Sequence, residues 1–357
     1  MRCDMETMEL LLYGGAILGG GGGGSMREGL RLARLALELG TPEIIPLAEF
    51  DPHQWVVTVS AVGAPAAADT FVRPTDYARA VQKVASYLGD AVGGLIQNEM
   101  GGLASANGLI QSAMLDIPII DAPCNGRAQP TSLMGSMGLH KIPKFRSIQA
   151  ACGGDPDKGR RVELLVGGDI GRCSSLIRAG SVQAGGMLAV ARNPIRAVKL
   201  KDRAAVGAVM ETINLGRSVA NARHNNNSVA EAIARRLGGE IVAQETVTRV
   251  ELVTRGGFDV GRVLLSGGYE LTFLNEYILL ESGGRRLYTF PDLIVTLHAT
   301  THDPITTAEI IEGNEVFVVA TTKDRLILGE GMRDPELYRQ VEDAVGKPVI
   351  SYAFKKN

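Results

Sequence analysis

Tryptophan occurs once in 357 residues and all aromatics together make up 5%, so the chain has little with which to stack nucleic-acid bases. Charge of one sign is scarce as well: 37 Lys and Arg against 39 Asp and Glu leave a net charge of −2. That balance offers no electrostatic grip on a phosphate backbone or an anionic lipid surface, and neither nucleic acid nor membrane is expected as a partner. The four cysteines (Cys3, Cys124, Cys152 and Cys173) are far apart with no CxxC pair, which points away from a structural zinc site and from a disulfide framework. Long hydrophobic runs are missing too. The apolar stretch at 9–18 is broken by Gly14 and Gly15, acids occupy the first ten residues, and nothing approaches the roughly 18–20 apolar residues that span a bilayer. The expected location is the cytoplasm, where free thiols persist.

What the chain has in excess is glycine at one place, six in a row from Gly19 to Gly24, followed by Ser25-Met26-Arg27-Glu28. Ordering glycine costs on the order of 0.5–1 kcal/mol per site relative to alanine, so an ordered run needs a compensating reason. Close approach of backbone to a ligand is the usual one. Ser25 and Glu28 have the spacing of a capping box, opening a helix whose apolar stripe includes Leu30, Ala33, Leu37 and Leu39. A glycine loop ending at a helix N-terminus suits an anion or a polarised carbonyl. A helix rather than a strand precedes the run, and no Lys-Ser/Thr follows it, which excludes the dinucleotide fingerprint and the nucleotide P-loop.

Periodicity predicts a helix over 5–18 capped by Asp4, strands at 43–47 and 55–61, and a helix at 75–88. Strand 92–97, helix 103–115, strand 117–121, helix 131–138 and strands near 145–150 and 162–166 follow. Short apolar strands alternating with helices predict an α/β fold: an N-terminal three-layer α/β/α domain on a mostly parallel sheet, over 1–170. A C-terminal domain over 171–357 is expected to be helical across 171–238, with helices at 172–182, 202–219 and 228–237. Strand 187–191 is a candidate to join the first sheet. From 239 onward the pattern turns β-rich, with strands at 240–253, 258–265, 269–274, 277–281, 286–290 and 293–297 punctuated by Gly256-Gly257, Gly267-Gly268 and Gly283-Gly284. Strands at 315–320 and 348–354 flank a helix at 335–345.

Ligands of an open parallel sheet collect outside the carboxyl ends of its strands. Three loops fall there: Asn98-Glu99-Met100-Gly101-Gly102, Asp121-Ala122-Pro123-Cys124-Asn125-Gly126-Arg127, and the loop containing Gly63-Ala64-Pro65. Glu99 and Asp121 are acid/base candidates, or alternatively caps of the helices that follow. Cys124 is a candidate nucleophile, with Arg127 available to lower its pKa; a buried structural thiol is the other reading, and no histidine shares its loop. The substrate-binding candidates are Gly20, Gly21, Gly22, Gly23, Gly24, Ser25, Asn98, Gly101, Gly102 and Asn125. His298 and His302 form an HxxxH, but the pair follows a strand and precedes Asp303-Pro304, so a turn is expected there and the one-face argument for a metal weakens. His53 and His140 have no visible partners. No cofactor is expected.

In order along the chain stand Gly14-Gly15-Ala16-Ile17-Leu18 running into Gly19–Gly24, then Glu99-Met100-Gly101-Gly102-Leu103, then Asp121 through Gly126-Arg127-Ala128. Phe273-Leu274-Asn275-Glu276 and Pro291-Asp292-Leu293-Ile294 complete the set. Together they resemble the S-methyl thiohydantoin desulfurase family, associated with hydantoinase/oxoprolinase proteins. The resemblance implies an α/β/α domain followed by a domain with a β-barrel-like part, and hydrolytic loss of methanethiol from an S-methylated thiohydantoin to leave a hydantoin. The chain departs from the family pattern at Pro123-Cys124-Asn125 and at His298, which points to a subfamily.

Three functions are weighed. The first is a hydrolase of a hydantoin-type ring, in which Cys124, or water activated by Glu99 or Asp121, attacks the ring carbon between the two nitrogens. Amides of the glycine run would stabilise the developing charge and Arg127 would assist departure of the thiol. The second is a non-catalytic subunit that binds a small anion or partners a hydantoinase/oxoprolinase. The third is a metal-dependent hydrolase using His298 and His302. A small-molecule substrate is the expected partner, with a second copy of the chain a further candidate.

Overall fold

The computed structural model describes residues 1–63, 69–255 and 258–354. The expected Ala64-Pro65 breaker and the Gly256-Gly257 pair lie outside them.

Asp4 caps the first helix, α1 (Met5–Leu18), by accepting from the Thr7 amide at 2.8 Å. This helix is apolar nearly all round and buries Met8, Leu11, Leu12, Ile17 and Leu18, as befits a central helix rather than a surface one. Helix α2 (Met26–Leu39) starts at the expected place, but Ser25 makes no side-chain cap and Glu28 pairs with Arg31 instead, so the predicted capping box is not formed.

The first sheet takes β1 (Ile44–Ile45), β2 (Trp55–Gly63), β3 (Val92–Gln97), β4 (Ile119–Ile120), β5 (Ser147–Gly153), β6 (Val162–Gly168) and β7 (Met187–Arg196) in the order β1-β4-β3-β2-β7-β5-β6. β1, β4, β3 and β2 run parallel, β7 lies antiparallel between β2 and β5, and β6 closes the far edge antiparallel to β5. Helices α1, α2, α3 (Pro74–Leu88) and α4 (Leu109–Leu115) share one apolar core with Val57, Val59 and Leu95 of the sheet. On the opposite face α5 (Ile170–Gln183) buries Ile177 against Leu188 and Val190, while Leu139 and Leu200 pack with Val56 and Ile96. The layers are therefore α/β/α.

Helices α6 (Ala208–His224) and α7 (Val229–Leu237) come next, α7 capped by Ser228 as expected. α6 crosses α1 at glycine: a β-carbon on Gly14 would stand 2.0 Å from the Thr212 carbonyl oxygen, and one on Gly216 2.0 Å from that of Leu10. The second sheet is antiparallel throughout. It comprises β8 (Glu240–Arg255), β9 (Phe258–Leu265), β10 (Tyr269–Leu274), β11 (Glu276–Ser282), β12 (Arg285–Thr289), β13 (Leu293–His298), β14 (Pro304–Ile305) and β15 (Glu315–Thr321), in the order β12-β11-β10-β9-β8-β15-β13-β14. β8 pairs with β15 through its first half and with β9 through its second. Strands β12 and β14 are edges among the described residues, so the sheet is open and the barrel implied by the resemblance is not closed.

Two short helices, α8 (Arg339–Val345) and α9 (Ile350–Ala353), end the described chain. The expected strand at 348–354 is thus helical. The expected helix at 131–138 is instead a single 3-10 turn at Met134–Ser136, because Met137 (φ 54°) and Gly138 (φ 68°) stand in the left-handed region and stop an α-helix; a second 3-10 turn follows at Leu139–Lys141. No helix of the described residues is long and apolar enough to cross a membrane.

Candidate active site

Both parallel-strand loops meet the second sheet at the glycine run. β3 ends in Gln97 and delivers Asn98 and Glu99 at its carboxyl end; β4 delivers the segment from Asp121 to Arg127. From the other side β10 turns into β11 at Asn275, whose positive φ (58°) is tolerated because a short amide side chain relieves the left-handed conformation. Asn275 exchanges two bonds with Asp259, its amide donating to the Asp259 carbonyl at 2.7 Å and its Oδ1 accepting from the Asp259 amide at 3.0 Å. This clamp holds the next residue, Glu276, against the glycines.

The run is ordered and its conformation is mixed, with Gly20, Gly21, Gly23 and Gly24 at φ between 54° and 89°. What comes close to it is protein. A β-carbon on Gly22 would stand 2.2 Å from Glu276 Oε1, one on Gly23 2.6 Å from the Gly101 α-carbon, and one on Gly20 2.7 Å from Arg127 Nη2. Its carbonyls are used in the same way. Gly20 accepts from the Tyr277 amide, Gly21 from the Thr307 amide, and Gly23 from the amides of Leu103 and Ala104, all at 2.8–3.0 Å. The glycines form the seam between the two sheets, which satisfies the close-approach argument with carboxylate, guanidinium and backbone.

Around this seam lie Glu99, Glu276, Arg127, Arg192, Asn98 and Gln129. Glu99 is half-buried and its Oε2 accepts from the Gln129 amide and from Asn98 Nδ2, both at 3.3 Å. Burial pushes its pKa up, opposed by the Gln129 amide and by the charges of Arg192 and Arg127. Glu276 is 3% exposed and its pKa is pushed up as well, first by burial and then by the charge of Glu99. The charge of Arg127 and backbone amides, Gly23 among them, oppose that rise. The two carboxyls form an electrostatically linked pair in which Glu99 has the stronger cationic support.

Arg127 is fully buried. Its Nη1 donates to the carbonyls of Pro291 (3.0 Å) and Asp292 (2.5 Å), its Nε donates to Ala128, and it lies 4.7 Å over the Phe290 ring. Burial lowers its pKa to about 10, so it is cationic at neutral pH. Its Nη2 has no partner, and neither do Glu276 Oε2 and Gln129 Oε1, although all three are buried. Arg192 Nη2 donates to Asn98 Oδ1 at 2.8 Å and so braces the residue beside Glu99.

The remaining sequence candidates occupy other places. Asp121 Oδ1 accepts from the amides of Val209 (2.7 Å) and Met210 (3.4 Å), supplying the N-terminal cap of α6 that Gly207 has no side chain to provide. Cys124 is fully buried with its thiol 3.2 Å from Thr58 Oγ1, and burial pushes its pKa up to about 11, the reverse of an activated thiolate. Asn125 ties Arg127's carbonyl (2.7 Å) to the Gly329 amide (3.2 Å) and thereby stiffens the loop. Gly101 and Gly102 pack directly on Gly23 and Gly24. Gly24 and Ser25 lead into α2 without a side-chain role in the pair.

His298 ends β13, accepting through Nδ1 from the Thr300 amide at 3.2 Å, whereas His302 lies in the turn and stacks on Phe317. No group of three or more His, Cys, Asp or Glu among the described residues is placed to hold a metal ion. His140, without an evident partner in sequence, bridges Ser136 and Asp334 at 2.9 and 2.8 Å.

Family signatures match both halves of the chain: the S-Me-THD-like N-terminal domain over residues 6–155 and the S-Me-THD-like C-terminal domain over 169–332. The chain belongs to the S-Me-THD-like family. No curated protein matches this S-Me-THD-like chain. A crystal structure of a protein from Chromobacterium violaceum, a structural genomics target, is similar to it at TM-score 0.74 and 20% identity, covering 100% of this chain and 99% of that one. At that identity the likeness is one of fold. Of the S-Me-THD-like motifs read from sequence, those holding Glu99, Arg127 and Glu276 converge at the seam. Glu276 and Arg192 carried no chemical expectation in the sequence; the one available signal was the place of Glu276 in the Phe273–Glu276 motif.

Proposed function

We propose that this chain is a hydrolase of S-methyl thiohydantoin-type rings in which Glu276 acts as general acid and Glu99 as general base. The observation that carries the reading is the linked carboxyl pair. Two neighbouring carboxyls in a desolvated site do not both ionise readily, and unequal surroundings divide the roles. Glu99, to which both Arg192 and Arg127 lend positive charge, is the ionised member; Glu276, more deeply buried, facing the Glu99 charge and supported by Arg127, is the protonated one.

The chemistry then balances. Glu276 protonates the imine nitrogen of the C2=N bond, while Glu99 takes a proton from water as its oxygen bonds to C2. The tetrahedral adduct collapses with cleavage of C2–S. The departing methanethiolate takes the proton held on Glu99, and the new hydroxyl returns a proton to Glu276 as it becomes the C2 carbonyl. Methanethiol and a hydantoin leave, and both carboxyls are restored. No thiol nucleophile is required, in keeping with the burial of Cys124.

Thiol release from a 5-substituted S-methyl thiohydantoin, followed with a disulfide reagent, tests the assignment. Glu99→Gln and Glu276→Gln are each expected to lose about 10²–10⁴-fold in rate. Wild-type turnover in both variants would remove the pair from the mechanism.

A further inference from the structure

We infer, resting on the proposed hydrolase reading, that Arg192 and Asn98 are positioning residues for the base, Arg192 acting on Glu99 through the side-chain amide of Asn98. Arg192 stands in the middle of β7 and is 5% exposed. Its guanidinium meets an uncharged partner there rather than a carboxylate, Nη2 donating to Asn98 Oδ1 at 2.8 Å. Burying a cation away from a carboxylate is costly, so its place in the sheet asks for a use. Asn98 supplies one by passing the contact on. Its Nδ2 donates to Glu99 Oε2 at 3.3 Å, so guanidinium, amide and carboxylate form a single chain.

The direction of that chain is fixed by its ends. A guanidinium only donates and a carboxylate only accepts, so Oδ1 must face Arg192 and Nδ2 must face Glu99. A bond from a cation polarises the amide and makes its far N–H a better donor, the mutual strengthening of a hydrogen-bond chain in a low-dielectric interior. Both early links stand on the sheet. Arg192 is in register with Thr58 of β2 and Gln149 of β5, and the Asn98 amide donates to the Val59 carbonyl at 3.2 Å. Gln129 grips the other two from the side, its backbone amide on Glu99 Oε2 and its Nε2 on the Asn98 carbonyl, each at 3.3 Å. Gly135 closes over them, since a β-carbon there would stand 2.7 Å from Asn98 Oδ1. Both donors to Glu99 take Oε2, which leaves Oε1 to receive the proton from water. The other charged or titratable groups facing Glu99 are Arg127, Glu276 and Cys124. Among the charges that oppose the burial-driven rise of the Glu99 pKa, Arg192 comes ahead of Arg127.

Carbon-13 NMR of protein labelled at the glutamate carboxyls tests the chain without depending on turnover, the Glu99 signal being the one lost in Glu99→Gln. Arg192→Met and Asn98→Leu, which leave Arg127, Glu276 and Cys124 in place, are each expected to raise the Glu99 titration midpoint by about one pH unit. The acid limb of kcat/KM for methanethiol release is expected to move up with it. The double variant is expected to go no further than either single change, because a chain is broken only once. Near-native Tm and circular dichroism establish folding; should Arg192→Met fail to fold, Arg192→Gln, neutral yet able to donate to Asn98, takes its place. An unmoved midpoint in either single variant, or additive shifts in the double, overturns the inference, and methanethiol release alongside that result leaves the hydrolase reading standing. Non-additive shifts in a protein that releases no methanethiol sustain the chain and overturn the hydrolase reading. Unmoved midpoints without methanethiol release overturn both.

Discussion

Gly22→Ala puts the glycine seam to a quantitative test. The added β-carbon would stand 2.2 Å from Glu276 Oε1, 2.5 Å from Cδ and 2.7 Å from Cγ. Ordinary contact begins near 3.5 Å, so the carboxyl must retreat by about 1 Å. Gly22 is not in the left-handed region, so backbone strain adds nothing and the whole effect falls on Glu276. Overpacking costs about 1–3 kcal/mol, and the smaller unfolded-state entropy of alanine offsets about 0.4–1 of that. The net loss is about 1–2 kcal/mol, a few degrees in Tm. The effect on rate is larger, since an error of about 1 Å in a reacting group costs around 10²-fold.

Gly283→Ala is the control. Gly283 has φ 56° but open space around it, so it should lose about 1 kcal/mol to strain and no activity. Scanning calorimetry and the methanethiol assay together read both effects. A Gly22→Ala protein with native Tm and full turnover would refute the argument that the run fixes the position of Glu276.

Glu276→Gln should also change the pH dependence of stability. A carboxyl whose native pKa is raised stabilises most below its unfolded pKa, about 4.3, and loses that contribution as pH climbs toward the native value. Denaturant titrations should show wild-type stability falling relative to Glu276→Gln by up to about 1.4 kcal/mol per pH unit above the ordinary carboxylate range; parallel curves would contradict the raised pKa. Cys124→Ser should keep its rate within about threefold in the thiol-release assay, because a neutral buried thiol supplies no nucleophile; a loss comparable to that of Glu99→Gln would return the cysteine to the mechanism. Asp121→Ala should lower the unfolding free energy by about 1 kcal/mol through loss of the α6 cap and leave kcat unchanged, and a selective collapse of kcat with native stability would show that it does more than cap.

Features set by neighbours in sequence were readable from sequence. Asp4 and Ser228 cap their helices, and short apolar runs bounded by turn residues mark β2, β3, β10 and β11, because capping and local apolar clustering act over a few residues. Errors arose where a single dihedral decides. Gly108, at φ 96°, splits the expected 103–115 helix into a 3-10 turn and α4, and Met137 with Gly138 cuts the expected 131–138 helix short at one 3-10 turn. Ser25 and Glu28 have capping-box spacing, but Ser25 makes no side-chain cap and Glu28 pairs with Arg31. Of the site, Glu99 was legible because it ends a parallel strand. Glu276 was not: its role depends on contact with a loop 177 positions earlier in the chain, and nothing in its own strand tells a buried carboxyl from an ordinary cross-strand one.

Arg127 leaves a loop of the first sheet and spends its Nη1 on two carbonyls beside the second, while the glycine carbonyls are divided between both sides. The consequence concerns divisibility. Although two family signatures tile the chain, neither tile holds Glu99, Arg127 and Glu276 together. Cutting between them would not yield two self-sufficient modules. It would leave two surfaces with stranded charge, one holding Glu99 and Arg127 and the other Glu276, each having lost the groups that made burial tolerable. Assembly of the seam and tertiary association are, for this chain, one event.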